Sequence, residues 1–456
     1  MIMRQRSRVW KLLGAQAGAF VALFAFQGSA FTADDAKGPV TFTKDVAPII
    51  QQKCQTCHRP GSAAPMVFMT YEHVRPWALP IKDRVSKRLM PPWHVDKSVG
   101  VVQEFQGDMS LSDEQIKTIV AWVDAGAPLG NPADMPPPID WPDFTRSWRL
   151  EAEYKRPPDL IVRTQPYTVV ANGLDQWFDS NVEVTGLTEP RWIRAVESRP
   201  ATVETASVFH HLASSLVGRD GDRSGLQGGA LGKTVDIFPS DSGKLIEPGA
   251  RVESDMHFFP VGREVKDAVV EIAIWFYDEG VKPRFETRGE VAFLADAGGG
   301  MPRGGDLFIP PHGTQMLRGV HVLKRPTRVH SIRGHMHLRG KAQAVEAIYP
   351  DGRREILSRI NWQHNWHTTY IFAEHVQPLL PKGTVLIVTS WFDNTAQNRH
   401  NPDPDQFVVF GRRTVDEMSH LWLGLTEFEE EDFQQLLAER KQLLTRRAAA
   451  GAIAAR

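Results

Sequence analysis

The sequence predicts a multidomain chain: a small all-α domain, two all-β sandwich domains of jelly-roll type, and a C-terminal helix. Three observations predict it. The 456 residues exceed what one compact core fills. Helix signals cluster before Gly130 and after Thr426. Between them run short β-branched and aromatic segments, such as Ala268–Phe276 and Thr384–Thr389, bounded by Gly, Pro or Asp-Gly. A hydrophobic content of 42% with 23% charged residues excludes a disordered chain. Lys and Arg number 53 against 54 Asp and Glu, so the net charge of −1 offers neither nucleic acid nor anionic membrane an electrostatic reason to bind.

The chain begins with a targeting segment, read as a signal peptide over residues 1–30. Arg4, Arg6, Arg8 and Lys11 stand without an acid, and Leu12–Phe26 is apolar. That run is shorter than the roughly 18–20 residues a membrane span needs. Gln27-Gly28-Ser29-Ala30 supplies small residues for cleavage. An uncleaved anchor is the alternative. The expectation is a periplasmic protein with no stable membrane span in its mature form.

The all-α domain is placed at 38–130. Thr43 is expected to cap a helix carrying Val46, Ile49 and Ile50 on one face. Ser112 is expected to cap a second helix, reaching about Ala125, with Asp113 and Glu114 just inside and Ile116, Ile119, Val120 and Val123 as its apolar stripe. The two cysteines of the chain lie in Cys54-Gln55-Thr56-Cys57-His58, which excludes a disulfide framework. In an exported protein this C-x-x-C-H spacing signals covalent attachment of one c-type haem, with His58 as the proximal iron ligand. A redox dithiol would want a βαβ setting, and a zinc site two further ligands nearby. A high-potential haem carrier takes a thioether as second axial ligand. Met66, Met69, Met90 and Met109 are candidates, and His73 and His94 alternatives. The segment resembles a small class I cytochrome c. That resemblance favours Met90, in the Pro-stiffened loop Leu89-Met90-Pro91-Pro92-Trp93, and implies that the terminal helices pack together.

Residues 131–158, with Pro132, Pro136, Pro137, Pro138 and Pro142, read as a semi-rigid linker. The sandwiches are placed at 159–297 and 306–425, with Gly298–Gly305 as their junction. Val345–Ile348, Tyr349-Pro350-Asp351-Gly352-Arg353 and Glu355–Leu357 read as a hairpin. Residues 426–456 form a charged helix with Phe433, Leu436, Leu437, Leu443 and Leu444 on one side, which leaves docking on a sandwich or on a second subunit open.

The 16 histidines are unevenly placed. His210 and His211 are adjacent in an apolar setting, and His257 sits in the strand-like Asp255–Phe259. His335-Met336-His337 has the spacing that puts two imidazoles on one strand face, with Cα atoms about 6–7 Å apart. Neighbours on a regular strand point to opposite faces, so His210 and His211 share an ion only if the backbone twists or bulges, or one uses Nδ1. Imidazole suits copper, zinc, iron or nickel, and an added thioether favours cuprous copper. Asp416-Glu417-Met418, followed by Ser419-His420-Leu421-Trp422, completes the series.

In that order the motifs resemble the copper type II, ascorbate-dependent monooxygenases, the family of peptidylglycine α-hydroxylating monooxygenase and dopamine β-monooxygenase. The resemblance covers roughly residues 159–425. It implies that His210, His211 and His257 hold one copper, which stores an electron. It implies that His335, His337 and Met418 hold a second, catalytic copper, where dioxygen meets the substrate. The two ions would lie far apart across a solvent-filled cleft, and the products would be a hydroxylated carbon and water. Three protein ligands leave a coordination position open, as catalytic sites require.

Two departures accompany the likeness. The animal enzymes are braced by disulfides, for which this chain has no spare cysteine. Of the three residues that anchor a substrate carboxylate in the peptide-amidating member, only the arginine matches, at Arg333; His420 and Trp422 occupy the other two positions. His420 supports a ligand, joins the copper, or is a structural histidine. His312, His321, His330, His364, His367, His375 and His400 read as structural or surface residues. The expected enzyme takes a small organic or peptide-like substrate, dioxygen and a periplasmic electron donor, with the haem in place of ascorbate as immediate donor to the His210-His211-His257 copper. A non-enzymatic electron carrier or copper-binding protein, and a metal-free scaffold, are the rivals.

Overall fold

Alternating apolar residues draw the strands of 159–427 into stacked sheets, with few helices and a C-terminal helix completing the chain. The computed structural model describes residues 38–60, 62, 64, 66–141, 147–230, 234–294 and 307–454. The signal-peptide segment and the Gly298–Gly305 junction lie outside the described residues.

In the first sandwich the order is Gln176–Glu183, Arg251–Phe258, Phe209–Val217, Arg223–Ala230, all antiparallel. Leu212, Met256 and Phe258 from this sheet meet Val196, Ile272 and Ile274 from the facing one in a core closed to solvent. The second sandwich sets Thr314–Val322, Val385–Asp393, Gly340–Ile348 and Arg354–Asn361 against Phe285–Leu294, His420–Glu427, Thr327–His335 and Thr369–Ile371. The expected hairpin is present: Gly340–Ile348 pairs with Arg354–Asn361, and Tyr349 N–H donates to the Arg353 carbonyl at 2.8 Å.

The sandwiches are not separate beads. Phe285–Leu294 pairs in parallel with Ser242–Ile246 of the first and antiparallel with His420–Glu427 of the second, so one ten-stranded sheet runs through both. Residues 285–294, assigned from sequence to the first sandwich, thus ladder mainly with the second. Arg328 forks onto the Asp241 carboxylate at 3.0 and 2.6 Å across the seam.

Two further boundaries move. The linker ends in a helix, Arg149–Tyr154, whose Leu150 packs with Trp148 against Ala273 and Trp275. Both faces of Val270–Phe276 are therefore covered, which is why that strand is apolar at nearly every position. Residues assigned to the all-α domain also leave it. Trp93, Val95, Val102 and Phe105 belong to the second sandwich's core. Val102 N–H donates to the Leu357 carbonyl at 3.1 Å, and Trp93 packs edge-on against Tyr370 at 5.0 Å. Gly100, at φ +94°, makes this docking feasible, because a Cβ there would lie 2.8 Å from the Leu357 oxygen.

The remaining 38–130 segment is helical around Phe42, Ile50, Val74, Ile119 and Trp122. Ser112 caps the Asp113–Asp124 helix in a reciprocal box with Gln115. Thr43 does not cap the first helix. A π-helical turn at Phe42–Val46 precedes Ala47–Lys53, the Asp45 carboxylate accepts the Thr41 N–H at 2.8 Å, and Thr43 is buried within the turn. Phe42 and Trp122 bring the two helices together at 5.8 Å.

The C-terminal helix, Glu430–Ala454, docks on the sandwich side through Phe433 and Leu436, against Phe285 and Phe428. Leu437, Leu443 and Leu444 are exposed. Among the described residues no helix is long and apolar enough to cross a membrane.

Trp93→Ala is expected to lower unfolding stability by about 3–5 kcal/mol, the cost of emptying a buried tryptophan site. Urea denaturation checks this; an unchanged midpoint would show that the segment is not part of the second core.

Candidate metal centre

The ladder between Phe209–Val217 and Arg251–Phe258 shifts register at one place. Phe209 faces Phe258 and His211 faces His257, so His210 is an extra residue on its strand. This is a β-bulge, and it answers how a tandem pair can turn both imidazoles to one side. His257 Nδ1 lies 3.2 Å from His210 Nδ1 and 3.3 Å from His211 Nε2. The ligand nitrogens of His210, His211 and His257 all fall within 4.8 Å of one another, and all three residues are buried.

Asp175 orients this triad from behind. Its Oδ2 lies 2.8 Å from His257 Nε2 and accepts the Thr414 hydroxyl at 2.5 Å. Although burial raises the Asp175 carboxyl, hydrogen bonds from His257 and Thr414 outweigh it and hold the group well below the usual carboxylate range. The carboxylate thus takes the Nε2–H and leaves the Nδ1 lone pair of His257 turned toward the other two rings. Trp177 stacks on His257 at 4.2 Å and fixes the ring plane.

On the other side of the seam, the Thr327–His335 strand ends at His335, and His337 lies past it in the turn. The two were expected on one strand face; instead their rings are 5.3 Å apart at 81°. Glu417 holds the turn. One of its oxygens accepts the N–H groups of both His337 and Met418, and the other accepts the Arg339 N–H at 2.9 Å. The backbone of Met418 and that of His337 are thus tied to one carboxylate oxygen. Burial pushes the Glu417 carboxyl up to about 7 against these hydrogen bonds. His337 Nδ1 meets the Asp416 carbonyl at 3.2 Å, so Nδ1 carries the proton. His337 Nε2 is buried with no hydrogen-bond partner.

One residue of this region was missed. His335 Nδ1 lies 3.0 Å from Nδ1 of His367, which sits on the loop before Thr369–Ile371. His211, His335 and His367 form a second group whose ligand atoms lie within 4.8 Å. His367 also stacks on His211 at 4.3 Å. The available signal was His364-Asn365-Trp366-His367, two histidines three apart beside tryptophans, which has no strand or helix period to make it stand out.

The resemblance places its two metal positions far apart. In this structure the two histidine groups meet, with His211 in both. The continuous sheet, the Thr414–Asp175 contact and the Arg412–Asp255 pair at 3.3 Å close the seam around them.

Arg333 faces Trp422 across the ladder, and its guanidinium lies 4.3 Å above the indole. It is buried against Gly228 of the first sandwich, where a Cβ would stand 2.1 Å from its nitrogen. The expected carboxylate anchor is therefore enclosed by the seam. His420 pairs with His335, with rings 5.9 Å apart, and its Nε2 is buried without a partner.

Desolvation, reinforced by neighbouring imidazoles, keeps these rings neutral. His210 and His364 are lowered to about 3, His337 and His420 to about 4, and His211, His335 and His367 lie well below the ordinary value. Neutral rings with unpartnered nitrogens are the chemistry a transition metal needs, so the residues fit one.

The C-x-x-C-H segment follows the helix Ala47–Lys53. Cys57 and His58 N–H groups both donate to the Cys54 carbonyl, at 3.1 and 2.9 Å. His58 Nδ1 meets the Met66 carbonyl at 3.1 Å, which turns Nε2 away as a free lone pair. The Met66 carbonyl therefore lies on the Nδ1 side of the His58 ring. Met90, half-buried, precedes a cis proline. Burial, helped by the charge of Cys57, pushes the Cys54 thiol up to about 12; burial also raises Cys57, with Arg59 opposing. An activated redox dithiol has the opposite shift. Near His58, the residues fit a covalently attached haem.

No protein-family model matches this chain, and no curated protein matches it. Among solved structures it is similar, weakly, to a Paenibacillus xanthan lyase at 10% identity and a TM-score of 0.17, over 59% of this chain and 25% of the lyase. A putative alpha-L-fucosidase from Bacteroides ovatus is similar at 8% identity and a TM-score of 0.16, over 66% of this chain and 43% of that one. Procruciferin, an 11S globulin from Brassica napus, gives 9% and 0.14, over 62% and 86%. The chain spans about a quarter of the lyase and less than half of the fucosidase. Likeness at this level carries no argument about function.

The metal-free protein is expected to lose stability as pH falls from about 6.5 toward about 4. The unfolded chain takes up protons at ordinary histidine values, while the buried rings of His210, His330 and His337 refuse them until about 3–4, so the unfolded state binds more protons throughout that window. Urea midpoints at several pH values test this; a flat profile would contradict it.

Proposed function

We propose that the chain is a periplasmic haem-fused copper monooxygenase, which hydroxylates a C–H bond of a small organic or peptide-like substrate with dioxygen. The observation that carries the reading is the bulge at His210, which turns a tandem pair and a distant strand histidine onto one point with a carboxylate behind them. The ordered C-x-x-C-H, His-His, His, His-x-His and Asp-Glu-Met series supports it.

In this reading His210, His211 and His257 hold one copper, and His335, His337 and Met418 the catalytic one. Copper would supply one-electron chemistry and a binding position for dioxygen. Cys54, Cys57 and His58, with Met90, would hold a haem, whose chemistry there would be single-electron transfer. The chain's own residues do the positioning. Asp175 holds His257 with Nδ1 bare, Asp416 does the same for His337 Nε2, and one Glu417 oxygen takes the backbone N–H groups of both His337 and Met418. Arg333 and Trp422 line the seam where a substrate would enter once it opens, and the burial around them excludes water. Inserting one oxygen atom into C–H and releasing the other as water takes two external electrons and two protons per turnover.

The burial of the histidines favours a second reading, in which the centre binds copper or relays electrons without oxygen chemistry. Oxygen uptake by copper-loaded protein with reductant, over a panel of substrates, separates the two. Met418→Ile is expected to abolish substrate-dependent uptake while copper at the His210 triad is retained. Uptake equal to wild type would refute a catalytic role for Met418. Stopped-flow mixing of ferrous-haem protein with cupric ion is expected to oxidise the haem within one turnover time. A haem that stays reduced would remove it from the pathway.

A further inference from the structure

His367 is a residue of the centre that neither motif nor resemblance pointed to, and its position is specific. It reaches the seam on the loop Trp362–Thr368, against His335 at the end of its own sandwich's strand and His211 of the other sandwich. The three ligand nitrogens lie within 4.8 Å of one another, and the three side chains are buried. His335 Nδ1 and His367 Nδ1 are 3.0 Å apart. Two nitrogens at about 2.0–2.1 Å from one tetrahedral ion stand at nearly that spacing, roughly 3.3 Å. A plain N–H···N hydrogen bond would explain the His335–His367 pair, but not the third imidazole, His211, which stacks on His367 at 4.3 Å and brings its own ligand nitrogen within 4.8 Å of the other two.

We propose that His211, His335 and His367 form a metal clasp, in which one imidazole-preferring transition ion is held between the two sandwiches. Three nitrogen donors without thiolate or thioether suit Zn2+ or Cu2+. Trp362, edge-on to His367 at 4.9 Å and hydrogen-bonded through its indole N–H to the His337 carbonyl at 2.9 Å, holds the loop in register with the His335 turn. The clasp deepens the proposed function and rests on it only through shared residues. A loaded clasp engages His211 and His335, so it holds the seam shut and withholds His335 from the set with His337 and Met418. It is a closed, resting state of the same centre, released when the ion leaves or the sandwiches part.

The test uses the full haem-containing chain and Zn2+ alone, which is redox-silent. Bound zinc is counted after equilibrium dialysis for wild type, His367→Gln and His364→Gln, each matched to wild type by circular dichroism and haem absorbance. His367→Gln is expected to bind one Zn2+ fewer per chain than wild type, and His364→Gln as many as wild type. Should His367→Gln fail the folding match, His367→Asn, which likewise removes the imidazole and leaves the other ligand set intact, carries the same expectation. Full zinc stoichiometry in His367→Gln overturns the clasp and leaves the oxygenase reading standing, since its ligand sets omit His367. Equal losses in His364→Gln and His367→Gln also overturn the clasp. Wild type that binds neither Zn2+ nor Cu2+ overturns both proposals.

Discussion

Between Phe209 and His211 the first sandwich carries one residue more than the strand it pairs with, and the geometry of the centre follows from that insertion. A regular ladder would send His210 and His211 to opposite faces, one into the core beside Leu212 and Phe258 and one to the seam. The bulge lets both rings converge on His257 while Phe209 still reaches the core. It persists because Phe258 and Met256 are locked in the opposing register on both sides of it.

Convergence alone would be unfavourable without desolvation. Seven imidazoles from His210 to His367 share the seam, each buried, and desolvation holds rings such as His211 and His335 well below the ordinary histidine value. Oxygen atoms at the rim orient two of the rings: Asp175 on His257, the Asp416 carbonyl on His337. Glu417 performs the complementary task for backbone, collecting the N–H groups that the turn after His335 takes out of the ladder. An Asp-Glu-Met run thus has a distinct structural duty for each of its first two residues, which holds the third in place.

The same economy appears at the scale of domains. One sheet passes through both sandwiches, and the stretch from Trp93 to Phe105 leaves the helical segment to complete the second core. The C-x-x-C-H segment is therefore anchored to the second sandwich by packing around Tyr370, whose strand ladders with the one that bears His335. The C-x-x-C-H segment and the histidines thus belong to one packed body.

Local spacing was enough to determine several features: the C-x-x-C-H turn, the Ser112 cap, the Tyr349–Arg353 hairpin, and the order of the histidine and Asp-Glu-Met motifs, because each depends on residues a few positions apart. The predominance of β structure was legible for the same reason. Tertiary structure alone decided what those motifs face. The extra residue at His210 is defined only against Phe258, nearly fifty positions away; Asp175 reaches His257 from just before the strand Gln176–Glu183; His367 has no period of its own and acquires meaning from His211 and His335. Domain edges were misplaced at Phe285 and Trp93 because a hydrophobic residue announces that it will be buried, and only the closed sheet says in which core.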